Sequence, residues 1–337
     1  MTKTPPGTQA LPRVLWPRIF LLAISLLALV CSGCAGSLNH VVQRDLPSKD
    51  GLTCRSYLGW SRPDVQHVLL WMGGTGLYSN AFVHPTAEDA LNTNPAAYLT
   101  IDKPGIRAPF GDPAKLDIND NELQQYTQGH VLECARQALS WSQQQFGDAV
   151  QFHLRGHSEG TLVALFLYNK LLEEEPALAA RVSSITLSGL GLEPFDALVA
   201  RQLSELPAQQ SSAIRAGIET CDWGVLRNRL AVSCKYLEDA YARPSGRAVF
   251  EKIAPRAPSV RFFVFQANND LHTPVRYVQE LEAWNQQRGH LDLTFRYYAG
   301  AHVGAPPEIQ REVSDLLVRL TARSRSVHSA PAVAVNQ

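Results

Sequence analysis

Gly156-His157-Ser158-Glu159-Gly160 places a serine between glycines two residues away on either side. A β-type run, Val150 to Arg155, leads into it, and an apolar helical run begins at Thr161. A serine at the tip of a strand-to-helix turn presents its hydroxyl to solvent but must adopt a strained backbone conformation, and flanking glycines let strand and helix pass closely. The helix that begins there aims free N–H groups at the serine, where negative charge would develop during attack on a carbonyl. The chemistry expected is nucleophilic, with Ser158 as the attacking group. A serine hydroxyl needs a base to take its proton, and ten histidines compete for that role. His153 lies inside the preceding strand and His157 adjoins the serine, so neither is placed to reach the hydroxyl.

The elements that must position such a site alternate in type. Strand patterns occur at Leu52–Trp60, Gln66–Met72, Ala97–Asp102, Val150–Arg155, Ser183–Ser188, Val260–Gln266 and Leu291–Tyr298. Helical patterns occur at Asn119–Phe146, Thr161–Glu174, Pro274–Arg288 and Pro306–Ala322. Crossovers of this length imply an α/β fold whose mainly parallel sheet is flanked by helices on both faces. Residues 195–258, rich in Ala, Gln, Arg and Leu, interrupt the alternation and read as short helices forming a lid inserted late in the sheet. The expected core is therefore residues 51–194 with 259–323, followed by a frayed tail at 324–337.

The 337 residues carry 31 Lys+Arg and 31 Asp+Glu, so no global field points to nucleic acid as a partner. The amino terminus says more. Lys3, Arg13 and Arg18 precede an apolar run at Ile19–Val30, which has the length of a signal-peptide core rather than of a bilayer span. Cys31-Ser32-Gly33-Cys34 follows, and its small residues resemble the lipobox of bacterial lipoproteins, although Cys31 occupies a position that is usually aliphatic. The resemblance implies a signal peptide at 1–33, acylation of Cys34, a linker over 34–50 with folded structure beginning near Asn39, and a protein lipid-anchored in a bacterial cell envelope. Export permits disulfides. Cys221 and Cys234, close together in the inserted segment, are expected to pair, while Cys134 on an apolar helix stripe reads as a buried free thiol. Among the cysteines, histidines and acids no metal-ligand spacing appears, and no cofactor motif occurs.

The order of these parts, from Gly73-Gly74-Thr75-Gly76 after an early strand, through G-x-S-x-G, to an inserted cap, an acid and a late histidine, resembles the α/β-hydrolase superfamily over roughly residues 50–323. The resemblance implies a triad of Ser158 as nucleophile, His302 as base and Asp270 as the acid that orients it. Asp270 stands in Gln266-Ala267-Asn268-Asn269-Asp270, with Glu193 the rival acid. It further implies an oxyanion site made by the backbone N–H of Glu159 and of Thr75, with Gly74 the alternative. Arg155 and Glu159 read as a local ion pair, and Asp102 as a structural residue holding a loop. The expected protein is a serine hydrolase without cofactor or metal, acting on a small-molecule ester or peptide-like substrate. A carboxylic ester is favoured; the alternatives are a peptidase of the same fold, or a non-catalytic surface-binding protein on a hydrolase scaffold.

Overall fold

The computed structural model describes residues 38–257, 259–288 and 291–322, so the signal segment, Cys34 and the tail lie outside the described residues. Eight strands build the main sheet: β1 (His40–Pro47), β2 (Thr53–Trp60), β3 (His67–Met72), β4 (Ala96–Ile101), β7 (Gln151–His157), β8 (Val182–Ser188), β9 (Arg261–Ala267) and β10 (Asp292–Tyr298). A separate two-stranded ribbon pairs β5 (Ile106–Arg107) with β6 (Asp117–Ile118). The strand order is β1-β2-β4-β3-β7-β8-β9-β10; β2 runs antiparallel to β1 and β4, and every other neighbour is parallel. β1 was not expected: residues 40–47 fall in the span assigned to a linker. Their side chains are mostly exposed, which leaves little hydrophobic pattern to read, and pairing with β2 supplies the backbone hydrogen bonds that make them a strand.

The inner parallel strands β3, β4, β7, β8 and β9 are largely buried, the edge strand β10 is not, and alternation along the inner strands sorts side chains into two cores. Val68, Leu70 and Met72 of β3, Leu99 of β4, Phe152 and Leu154 of β7 and Val264 of β9 join the larger core. It is covered by α3 (Gln128–Phe146), α4 (Glu159–Glu174), α10 (Gly246–Ile253) and α11 (Val275–Arg288). Leu69, Trp71 and Tyr98 point the other way and meet α1 (Pro85–Thr93) and α12 (Pro307–Ala322). The long helix expected over 119–146 is two helices, α2 (Asp120–Gln125) and α3, broken at Tyr126-Thr127. Thr127 is extended and caps α3 in a reciprocal capping box with His130, an arrangement that competes with a continuous helix.

Between α4 and β8 lies the single turn α5 (Pro176–Ala179). Between β8 and β9 the chain forms α6 (Phe195–Ser204), α7 (Ala208–Glu219), α8 (Trp223–Arg229), α9 (Cys234–Tyr241) and α10, five short helices where the sequence marks an insertion. α9 packs against α2, α3 and α6, and α10 against α4. Among the described residues no helix is long and apolar enough to cross a membrane.

Candidate active site

Ser158 lies between β7 and α4, as the N-cap of that helix, with φ 54° and ψ −122°, a left-handed conformation unusual for a residue with a side chain. The turn can close only because of its glycines. A Cβ on Gly160 would overlap the carbonyl oxygen of Met72 in β3, and one on Gly156 would overlap the Gly160 carbonyl. The Ser158 N–H donates to Ser188 O at 2.9 Å, and its carbonyl accepts from Thr161 N–H at 2.9 Å and from the Thr161 hydroxyl at 2.6 Å. Strand pairing and the first helical turn thus hold the strained residue from both sides.

His302, in the loop after β10, comes to this hydroxyl across 144 residues of sequence, with Nε2 2.8 Å from Ser158 Oγ. Its Nδ1 lies 2.8 Å from Asp270 Oδ2. Asp270 follows β9, is 4 % exposed, and accepts from the Thr273 N–H at 2.8 Å, the Thr273 hydroxyl at 2.7 Å and the Gln266 amide at 3.2 Å. Burial pushes the Asp270 carboxyl up, but the hydrogen bond and attraction of His302 and the two bonds from Thr273 outweigh it and hold the carboxyl below its ordinary range. With Asp270 ionised, the fitting tautomer donates Nδ1–H to Asp270 and leaves the Nε2 lone pair for the serine proton.

Three features of the surroundings have no strong mark in the sequence. Gly189, with φ +64°, seats the imidazole, because a Cβ there would come within 2.9 Å of His302 Cε1. His157 and His272 flank the His302 ring, with centroids 5.2 and 4.9 Å away. Burial, then the neighbouring His302 and Arg155, push His157 down to about 4. His157 Nδ1 meets Ser188 Oγ at 3.2 Å.

The Gly-rich turn lies beside the serine. Gly74 is buried and a Cβ on it would stand 2.9 Å from Ser158 Cβ, whereas the Thr75 side chain is exposed. Asp102 secures this turn by accepting from the Ser79 hydroxyl at 2.6 Å, the Asn80 N–H at 2.5 Å and the Tyr57 hydroxyl at 2.8 Å. Burial pushes its carboxyl up to about 6, against the pull of those donors.

Other expectations need correction. Glu159 does not pair with Arg155; it pairs with Lys103 at 2.8 Å and accepts from the Tyr236 hydroxyl of α9. Strand alternation turns Arg155 to the face covered by α1, where its guanidinium lies over the Trp71 ring at 4.7 Å and donates to Thr86, while α4 packs on the opposite face. Burial pushes Arg155 down to about 10. The rival acid Glu193 is bound by Arg201 of α6 at 2.6 Å. Cys134 is not a lone thiol, since Cys54 of β2 lies at disulfide distance with Cα atoms 5.9 Å apart. Cys221 and Cys234 also lie at disulfide distance, at 5.4 Å. With Glu238 they form a cluster whose candidate ligand atoms fall within 4.8 Å of one another, a grouping invisible in the spacing. Sulfurs joined to each other are not thiolate ligands, and that pairing is the geometry present.

The mainly parallel eight-stranded sheet with its flanking helices is that of the α/β-hydrolase fold. No family profile and no curated protein matches the chain. Solved structures that it resembles include a lipase in its open form, with TM-score 0.58 and 15% identity over 85% of this chain and 100% of that one. An esterase of Pyrococcus furiosus aligns with TM-score 0.52 and 14% identity over 84% and 93% of the two chains. A thermostable carboxyl esterase of Bacillus coagulans, in complex with glycerol, aligns with TM-score 0.54 and 14% identity over 83% and 97%.

Proposed function

We propose that this protein is a serine hydrolase that cleaves carboxylic esters through an acyl-enzyme, with Ser158, His302 and Asp270 as its catalytic triad. The observation that carries the reading is the unbroken hydrogen-bonded series from Ser158 Oγ through His302 to a buried, ionised Asp270. Ser158 Oγ attacks the ester carbonyl as His302 Nε2 takes its proton, and the imidazolium is stabilised by Asp270. The tetrahedral oxyanion is received by the N–H groups of Glu159 and Thr75, with Gly74 bringing the turn against the serine. Collapse expels the alcohol, which takes the proton from His302. Water, deprotonated by the same nitrogen, then releases the acid and restores Ser158. The ester preference is supported by the lipase and esterases that share the fold.

The test is a panel of p-nitrophenyl esters of graded chain length beside aminoacyl anilides, with fluorophosphonate labelling of the parent and of Ser158→Ala. Ester turnover and labelling that both vanish with Ser158 support the reading. Labelling that persists in Ser158→Ala excludes that nucleophile, and anilide turnover exceeding ester turnover excludes the ester preference. Export and acylation of Cys34 belong to the same proposal, supported by the signal-like amino terminus. Fatty-acid labelling lost in Cys34→Ala checks the anchor; labelling retained there rules that site out.

A further inference from the structure

Lys103 is a buried cation that the chemistry above leaves unused. It follows β4, is 9 % exposed, and sends its Nζ to Glu159 Oε2 at 2.8 Å and to the Gly74 main-chain oxygen at 3.1 Å. The other Glu159 oxygen accepts from the Tyr236 hydroxyl, and the Gly74 oxygen also accepts from the Tyr78 hydroxyl at 2.8 Å. One ammonium therefore joins the two backbone segments that border the Ser158 hydroxyl: the residue just after it and the Gly-rich turn beside it.

Peptide geometry gives this arrangement a consequence. In a planar trans peptide the carbonyl and the following N–H point in opposite directions. Holding the Gly74 carbonyl on Lys103 and Tyr78 thereby fixes the direction of the Thr75 N–H. Holding the Glu159 side chain on Lys103 and Tyr236 restrains the first residue of α4, whose N–H is the second donor. Desolvation offsets most of the attraction within a buried ion pair, so such a pair is a poor device for stability alone. Donors held rigid before reaction are a strong device for rate, since loss of one slows turnover about 100- to 1,000-fold.

We infer that Lys103, Glu159 and Tyr236 form a positioning clamp for the oxyanion donors, tied through Tyr236 to the helical insertion between β8 and β9. The inference rests on the ester-hydrolase reading and adds residues that touch no substrate.

Lys103→Met alone strands the Glu159 carboxylate and endangers folding, so the decisive variant combines Lys103→Met with Glu159→Gln. That pair removes both charges and keeps a polar group for Tyr236. The expected result is a thermal midpoint close to the parent, KM for a p-nitrophenyl ester within about twofold, and kcat lowered about 100-fold, as for a misplaced oxyanion donor. Amide hydrogen exchange across residues 73–78 should also be faster. Tyr236→Phe should lower kcat by less, again with KM nearly unchanged. Parental kcat in the double variant would overturn the clamp and leave the ion pair a structural contact. Should the unsubstituted protein turn over no ester, the hydrolase reading fails by itself. Exchange still decides the clamp in that case: unchanged protection of residues 73–78 overturns it, and faster exchange upholds it.

Discussion

Asp270 and Glu193 follow neighbouring strands, and either could in principle stand behind His302. The contacts separate them. Asp270 reaches His302 Nδ1 at 2.8 Å, while both Glu193 oxygens are taken by Arg201, at 2.6 and 2.9 Å for the closer one. Arg201 also donates to the carbonyls of Leu271 at 2.5 Å and of His272 at 2.7 Å, so Glu193 helps anchor the acid loop without touching the imidazole. Asp270→Asn should lower kcat about 10,000-fold, the cost of presenting the wrong imidazole tautomer, with little change in thermal unfolding. Glu193→Gln should keep kcat within about tenfold, because the reacting groups stay in register, the effect being limited to loop support. Steady-state kinetics on the two variants would reverse the assignment if Glu193→Gln proved the more damaging.

Among the elements, the cysteine pairs divide into two kinds of tie. Cys54–Cys134 joins β2 to α3 inside the core, with both residues fully buried and 80 residues apart in sequence. Cys221–Cys234 joins the end of α7 to the start of α9 within the insertion, over a separation of 13. In the chain-entropy account the longer loop stabilises by about 4.5 kcal/mol and the shorter by about 3 kcal/mol, both acting on the unfolded chain. Replacing Cys54 and Cys134 together by alanine should therefore cost about 1.5 kcal/mol more than replacing Cys221 and Cys234, measured by urea unfolding. Peptide mapping without reductant should recover both linked peptides. A peptide joining Cys221 to Cys54 or Cys134 would refute this pairing.

For the whole molecule, buried histidines set the response to acid. His67 Nδ1 meets His153 Nε2 at 3.1 Å, and His153 Nδ1 meets Ser184 Oγ at 2.9 Å, forming a polar row across β3, β7 and β8 on the face covered by α1 and α12. Burial pushes His67 down to about 4 and, with the neighbouring His67 and Arg261, pushes His153 down to about 3. Both are neutral in the folded protein at pH values where the unfolded chain takes up protons. Their contribution is complete above the unfolded value of about 6.5 and is lost as pH falls from there toward the folded values, at about 1.4 kcal/mol per pH unit for each ring. Asp102, raised to about 6, acts in the opposite sense between its unfolded value and 6, and offsets one ring of the two. His157, held down to about 4, restores the balance toward acid sensitivity. Urea unfolding should show stability falling between pH 6 and pH 4, and His153→Gln should flatten that fall by about 1.4 kcal/mol per pH unit. An unchanged slope in the variant would rule out the row as a source.

What the sequence determined was the set of periodic elements and the local turn. Seven strands, the serine turn and the helical interruption before β9 were legible because burial on a strand or helix face leaves a pattern a few residues long. Asp270 and His302 were singled out through the resemblance of their loops, each just after a strand, to the acid and histidine loops of the α/β-hydrolase superfamily. Tertiary structure alone decided which distant groups meet. The partner of Glu159 is Lys103 and not Arg155, since strand alternation and helix packing carry Arg155 and Glu159 to opposite faces. Gly189 reads in sequence as a strand end and becomes the seat of His302 only once β8 and β10 lie in one sheet. β1 carries mostly exposed side chains, so its existence rests on backbone bonds to β2 that no hydrophobic pattern records. Cys134 shows the same limit: a helix stripe reveals that it is buried, but only the packing of α3 against β2 supplies Cys54 as its partner, because side-chain pairing across 80 residues has no local signature.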